Sequence, residues 1–339
     1  MYISDYKTTS YNLQFTRFIL AISVIFSHCF PLSTGNTSRE WMCVLTIGQM
    51  SFGKFAVAIF FLFGGYYSAH TVIQKADNRY IVFRLKRLIP ELLIVVVSCI
   101  LLGSLLSSLN VAEYFTDCKT WRYLLNSVFI LQHELPGVFT GNIYNPTVNG
   151  ALWTIPVEFI CNVGCFIAFR MNLLSKKLIP ITTLLVILSG YLIRFVGVYV
   201  SVLESALLPC LLFYVGILFF LYGNKIKLLP SLFIGTIILF LLSIPLGFMT
   251  IGMVIFLPYV CFYIWFGNTQ IADHIANIGK YSYSIYLWGF PIQQTVVHYF
   301  GGSMNPYINF AISTPLIIIL GIGTYNTVCF AKSYKMMIR

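Results

Sequence analysis

The sequence predicts an all-α, polytopic membrane protein with about ten transmembrane helices and one short interfacial or re-entrant helix. Composition is the first observation. Of 339 residues, 58% are hydrophobic and 9% charged, with a mean hydropathy of +0.85, whereas a soluble domain carries roughly 25% charged residues. The second is length: ten mainly apolar runs approach the roughly 20 residues that cross a bilayer as a helix. The third is that the cations gather on one side of those runs.

The runs lie near 12–32, 53–73, 88–109, 148–170, 178–197, 203–222, 228–247, 249–267, 279–300 and 308–331. The first is too long for a signal-peptide core and lacks a small-x-small cleavage site, so it is expected to remain as a membrane helix. The second contains FFLFGGYY, where Gly64 and Gly65 allow close helix approach. A short, densely basic loop then leads through RLKRLIP into the third. Between the third and fourth runs comes the long segment 110–147, rich in Gly, Pro and Asn. It includes WRYLLNSVFILQ from Trp121, too short to span. A connection of that length over a membrane domain usually has work to do. ALWTIPVEF opens the fourth run, Arg194 near the end of the fifth is expected to pair with Glu204, and YSYSIYLWGFPI occupies the ninth. A single transmembrane domain over 1–339, with no soluble module, is the expected organisation.

The formal net charge of +11 follows topology. With the N-terminus in the cytoplasm, fifteen Lys and Arg fall in inner tails and loops against four outside, a strong positive-inside bias that puts both termini in the cytoplasm. Membrane lipids account for the basic excess, and nucleic acid is not needed. Seven of the nine cysteines sit in the runs, where Cys behaves as a small hydrophobe. Cys43 and Cys118 stand in outward loops and could form a disulfide. CNVGC at 161–165 lacks a second ligand pair, so no metal site is expected.

Three features carry chemistry. In RFILAISVIFSH, Arg17 and His28 are eleven residues apart. That is about 1100° of helix, roughly 20° past three turns, so they share a face about 16 Å apart along the axis. A charge inside a span faces the bundle interior or a wet cavity, so this face reads as the lining of an internal channel. Inward snorkelling of Arg17 and end-capping by His28 are the plainer alternatives. Arg84 and Arg87, at i and i+3, make a pair of guanidinium forks suited to phosphate, or else anchor the helix to anionic lipid. Glu158, about ten residues into the fourth run, needs a cationic partner or a proton at that depth.

NLQFTRFILAISVIFSHCF, FAVAIFFLFGGYYS, RLKRLIP, LWTIPVEF and YSYSIYLWGFPI, in that order, resemble the acyltransferase-3 membrane family over residues 12 to about 300. That family includes bacterial O-acetyltransferases of lipopolysaccharide O-antigen, capsule and other exported glycans. The resemblance implies an inner-membrane enzyme that moves an acyl group, usually acetyl, from cytoplasmic acetyl-CoA to a sugar hydroxyl at the periplasmic face. It implies Arg84 and Arg87 on the CoA phosphates, with the pantetheine arm threading past Arg17 to place the thioester near His28. His28 would then act as general base or as transient acyl acceptor. Glu158 would orient His28, raise its basicity or pair with Arg17. The acceptor, a polysaccharide or lipid-linked glycan, would meet Trp121, Tyr144, Asn145 and Trp153. Two positions depart from the pattern: Gly64 stands where many members have Ser, and Gly289 where many have His. His28 is thus left as the in-span histidine at a motif position. A transporter or flippase of a lipid-linked glycan, with Arg17 and Glu158 as pathway charges, and an acyltransferase for a non-glycan acceptor are the rival expectations.

Overall fold

A computed structural model describes residues 2–5, 10–75, 79–175, 177–195, 201–267 and 273–337. Among them the chain is helical, and its only β-type pairings are isolated bridges, Tyr2 to Lys227 and Glu134 to Thr147. The α-helices in order are α1 (Tyr11–Thr34), α2 (Trp41–Leu45), α3 (Phe52–Lys75), α4 (Tyr80–Leu106), α5 (Val111–Thr116), α6 (Cys118–Arg122), α7 (Thr154–Arg170), α8 (Ile179–Phe195), α9 (Ser201–Leu221), α10 (Pro230–Ser243), α11 (Met249–Ile255), α12 (Leu257–Phe266), α13 (Asp273–Ala276), α14 (Ser282–Tyr299) and α15 (Pro306–Met337). The short run at Trp121 divides into the end of α6 and a 3-10 helix, Tyr123–Val128.

Six of these helices are long and apolar enough to cross a membrane: α1, α3, α4, α7 with its leading turn, α9 and α15. A seventh follows if α11 and α12, bent by 45° at Phe256, count as one span. The expected count of about ten is not confirmed among the described residues. α10 has only 14 residues, and α8 is described over 17. α14 carries Gln293, Gln294 and His298 among its 18 residues, which lower its hydropathy. Large apolar side chains such as Leu105, Leu185, Ile234 and Ile319 are more than half exposed along α4, α8, α10 and α15. That much open apolar surface suits lipid and not water. This is a membrane protein.

The helices gather into two compact units. The first comprises Met1–Gln14, Val57–Arg84 and Val157–Ala276. Lipid tails are as apolar as leucine, so close packing and internal hydrogen bonds hold such helices together. α3 and α9 meet at small residues. A Cβ on Gly65 would run into the Phe213 carbonyl, and one on Gly216 into the Leu62 carbonyl. Around this crossing lies an aromatic core in which Phe219 stacks on Phe262 at 4.5 Å and Tyr66 meets Phe262 at 5.0 Å. The N-terminal segment is tied down by Ser10, whose hydroxyl donates to the Trp265 carbonyl, and by Asn12 Nδ2, which donates to the Ile264 carbonyl at 2.8 Å. The side chain of Arg194 lies outside the described residues.

The second unit comprises Phe15–Ala56, Leu85–Pro156 and Asn277–Arg339. α14 is its centre and packs along α15, where Trp288 Nε1 donates to Thr324 Oγ1 at 2.9 Å. Towards α4, Tyr283 donates to the Leu88 carbonyl at 3.2 Å and Ser284 donates to the buried Glu91 carboxylate. α1 ends at Gly35, whose φ of +72° lets its N–H close back on the Pro31 carbonyl at 2.9 Å.

The α3–α9 crossing gives a stability prediction. Gly65→Ala should lower the melting temperature of detergent-purified protein, since the clash is with fixed backbone; overpacking costs about 1–3 kcal/mol or more. Gly164→Ala in α7, with nothing within 4 Å of the added methyl, should leave it unchanged or higher.

Candidate active site

His28 lies in α1 in the second unit, half-buried, with Arg17 half-buried on the same unbroken helix. The imidazole stands edge-on to the ring of Phe290 at 5.3 Å and 74°. Phe290 is buried at the middle of α14 with Leu32 and Ala151, and Tyr144 and Tyr286 pack on that cluster. Tyr144 meets the same Phe290 ring at 6.0 Å. A predicted catalytic side chain and a predicted substrate-binding side chain, 116 positions apart in sequence, therefore share one aromatic ring.

The loop carrying Tyr144 is held from below by α14. Gln294, fully buried, donates from Nε2 to the carbonyls of Thr147 at 3.0 Å and Asn145 at 3.2 Å. Asn142 Nδ2 donates to Gln294 Oε1 at 2.8 Å and to its carbonyl at 3.0 Å. Asn149, also fully buried, caps the turn Gly150–Trp153 through Ala151 N–H at 3.2 Å and donates to the Leu287 carbonyl at 3.0 Å. Tyr286 donates to the Ala151 carbonyl at 2.8 Å and bonds the Thr154 hydroxyl at 2.8 Å. The turn holding the half-buried Trp153 is thereby fixed. Phe129 and Phe139 take left-handed backbone, φ 67° and 57°, which a bulky residue adopts only when its surroundings compel it.

The other predicted residues are distributed as follows. Asn145 is exposed on the same loop, with its carbonyl on Gln294. Trp121 is 53% exposed and bonded to its own neighbourhood, Nε1 to the Phe115 carbonyl at 2.8 Å; no described contact joins it to the His28 cluster. Arg87 is exposed on α4 in the second unit. Arg84 belongs to the first unit and is committed to an internal network. Its Nε donates to Tyr80 Oη at 3.1 Å and its Nη2 to Ser68 Oγ at 3.0 Å. Tyr80 and Ser68 in turn donate to Asn162 Oδ1 at 2.8 and 2.5 Å, and Asn162 Nδ2 donates to the Glu158 carbonyl at 2.7 Å. Glu158 is half-buried on α7 in the first unit, and its carboxylate has no hydrogen-bond or ion-pair partner among the described residues. No cluster of three or more His, Cys, Asp or Glu side chains forms among the described residues.

Sequence reasoning missed Phe290, Gln293, Gln294, Asn162 and Glu91. Polar residues inside an apolar run were the available signal: the dipeptide at 293–294, and a carboxylate directly after Pro90. Phe290 gave no signal, since only the fold distinguishes it from thirty phenylalanines.

Residues 10–331 match the acyltransferase-3 family, described as an acyltransferase domain. The chain belongs to this family. An O-acetyl transferase of Shigella phage Sf6 is 26% identical over 328 residues, covering 92% of each chain. No solved structure matches. As a member of the acyltransferase-3 family, this chain builds its His28 cluster within one of its two units.

Outside the spans, Cys43 and Cys118 are both free, the former buried and the latter exposed, so no disulfide joins them. Burial, with Glu40 accepting from the thiol at 3.3 Å, pushes Cys43 up to about 11 from 9.0. The thiolate is the reactive form, so in a variant retaining only these two cysteines the exposed Cys118 should react with maleimide at pH 8 well ahead of the buried Cys43, whose thiol is held protonated. Comparable rates would contradict the buried placement of Cys43.

Proposed function

We propose that this chain is a membrane O-acetyltransferase that takes the acetyl group of cytoplasmic acetyl-CoA and places it on a sugar hydroxyl at the periplasmic face of a bacterial inner membrane. The acceptor on this reading is a cell-surface glycan such as O-antigen or capsule, free or lipid-linked. The observation that carries it is the imidazole of His28 set against Phe290 beneath an aromatic loop residue, Tyr144. A half-buried acid–base group next to a held loop bearing Tyr144 and Asn145 suits a hydroxylated acceptor, since sugar rings stack on aromatic faces and bond amides. Family membership and the phage relative's name supply the reaction class. The topology proposed with it has ten helices crossing or entering the membrane and both termini in the cytoplasm.

The chemistry assigned to His28 is proton transfer. The neutral imidazole takes the proton of the acceptor hydroxyl as its oxygen attacks the thioester carbon. The C–S bond breaks as the C–O bond forms, and the departing thiolate takes the proton back, so no net proton is consumed. Transient acylation of His28 itself is the two-step form of the same transfer. Phe290 limits the imidazole to one side, and Arg17, three turns away on the same helix, offers positive charge to the donor's phosphorylated arm. Arg87, exposed on α4, is the first candidate for phosphate contact.

Purified protein in nanodiscs with radiolabelled acetyl-CoA tests this. Wild type should release CoA or trap label. His28→Ala should lose at least about a hundredfold of that rate, the range of general-base catalysis, while still binding acetyl-CoA. Arg87→Ala should weaken donor binding, and Glu158→Gln should slow turnover. If wild type neither binds nor consumes acetyl-CoA or longer acyl-CoAs, the acyl-transfer assignment is wrong and transport of a glycan takes its place.

A further inference from the structure

Gln293 is a buried polar residue that the proposed chemistry leaves unused. It is fully buried in α14, and its Nε2 lies 2.7 Å from the carbonyl of Ile25 and 2.7 Å from Sγ of Cys29. Ile25 precedes His28 by three residues and Cys29 follows it directly, so the amide grips the turn of α1 that carries the imidazole. Its Oε1 has no hydrogen-bond partner among the described residues.

That orphaned carbonyl matters, because a buried acceptor without a donor loses its hydration and gains nothing in return. An unbranched apolar side chain of similar volume would fill the space without that cost. The Ile25 carbonyl does not need the amide either, since within α1 it already lies one turn before the Cys29 N–H and accepts from the Cys29 thiol at 3.3 Å. The amide therefore acts on helix orientation, with no net gain in hydrogen bonding. Its neighbours on the same face of α14 agree. Gly289 backs on Ile25, whose Cγ1 would lie 3.1 Å from an added Cβ, and Phe290 meets the His28 ring. Gly289 sets the distance between the two helices, Phe290 limits the ring, and Gln293 fixes the rotation of α1 about its axis.

We propose that Gln293 is a positioning residue for His28, holding the α1 turn so that the imidazole keeps one orientation beside Phe290. The inference rests on His28 being the acid–base group of the proposed transfer only for its effect on rate; the orientation itself is a property of the fold.

Gln293→Met, similar in volume and without donors, is the test, read in three ways. Its melting temperature should equal or exceed that of wild type, because the orphaned carbonyl is gone. In protein carrying labelled histidine, with the five histidines assigned through His28→Ala, the His28 ring signal should move away from its Phe290-shifted position and broaden, while the other four stay in place. In the acetyl-CoA assay kcat should fall by about tenfold or more, as expected when a reacting group is misplaced, with KM for acetyl-CoA unchanged within about twofold. Gln293→Asn, which restores a donor one methylene short, should recover part of the loss. An unmoved His28 signal overturns the proposal, and so does a melting temperature that falls in step with activity. A wild type that never turns over acetyl-CoA, combined with a His28 signal that moves in Gln293→Met, upholds the positioning role and removes only the acyl-transfer reading.

Discussion

Inside a lipid-facing bundle a polar side chain has only the protein to bond to, and this constraint organises both units. With no water to compete, an amide or hydroxyl among the helices either finds a protein partner or carries the cost of lacking one. Asn162 in the first unit shows the consequence, collecting Ser68, Tyr80 and the Glu158 carbonyl around one amide. Asn149, Gln293 and Gln294 do the same in the second, and each reaches a main-chain carbonyl on a different segment. These amides cross-link helices that apolar contact alone would leave free to slide or rotate.

Much of this was legible in the sequence. Composition and run length identified a helical membrane protein, and the runs correspond to described helices because apolar length is what a bilayer demands. The span count was less secure. Hydropathy treats a helix as uniform, whereas α14 is buried on nearly every side and can afford two adjacent glutamines. The bend at Phe256, just before Pro258, likewise divides what the sequence presents as one run.

The site was legible one residue at a time and not as an assembly. His28 stood out because it shares a helix face with Arg17 three turns away, and Tyr144 because its loop was longer than a connection requires. Nothing in either segment announced Phe290 between them, since a phenylalanine in an apolar helix carries no pattern. Arg84 and Arg87 read as a matched pair from their spacing. Spacing does not reveal that Tyr80, one turn earlier on the same helix, and Ser68 on another engage the first of them.

The bonds of Gln294 carry a consequence for how such a protein diversifies. Two of them end on the peptide carbonyls of Asn145 and Thr147 and not on side chains. At Asn145 and Thr147 the loop is thus held by main-chain carbonyls, which substitution leaves in place, while Asn142 adds a side-chain anchor. The exposed side chain of Asn145 can change without moving those carbonyls. On the proposed reading, exposed side chains of the loop can be rewritten one at a time while the backbone that seats Tyr144 on Phe290 stays as it is.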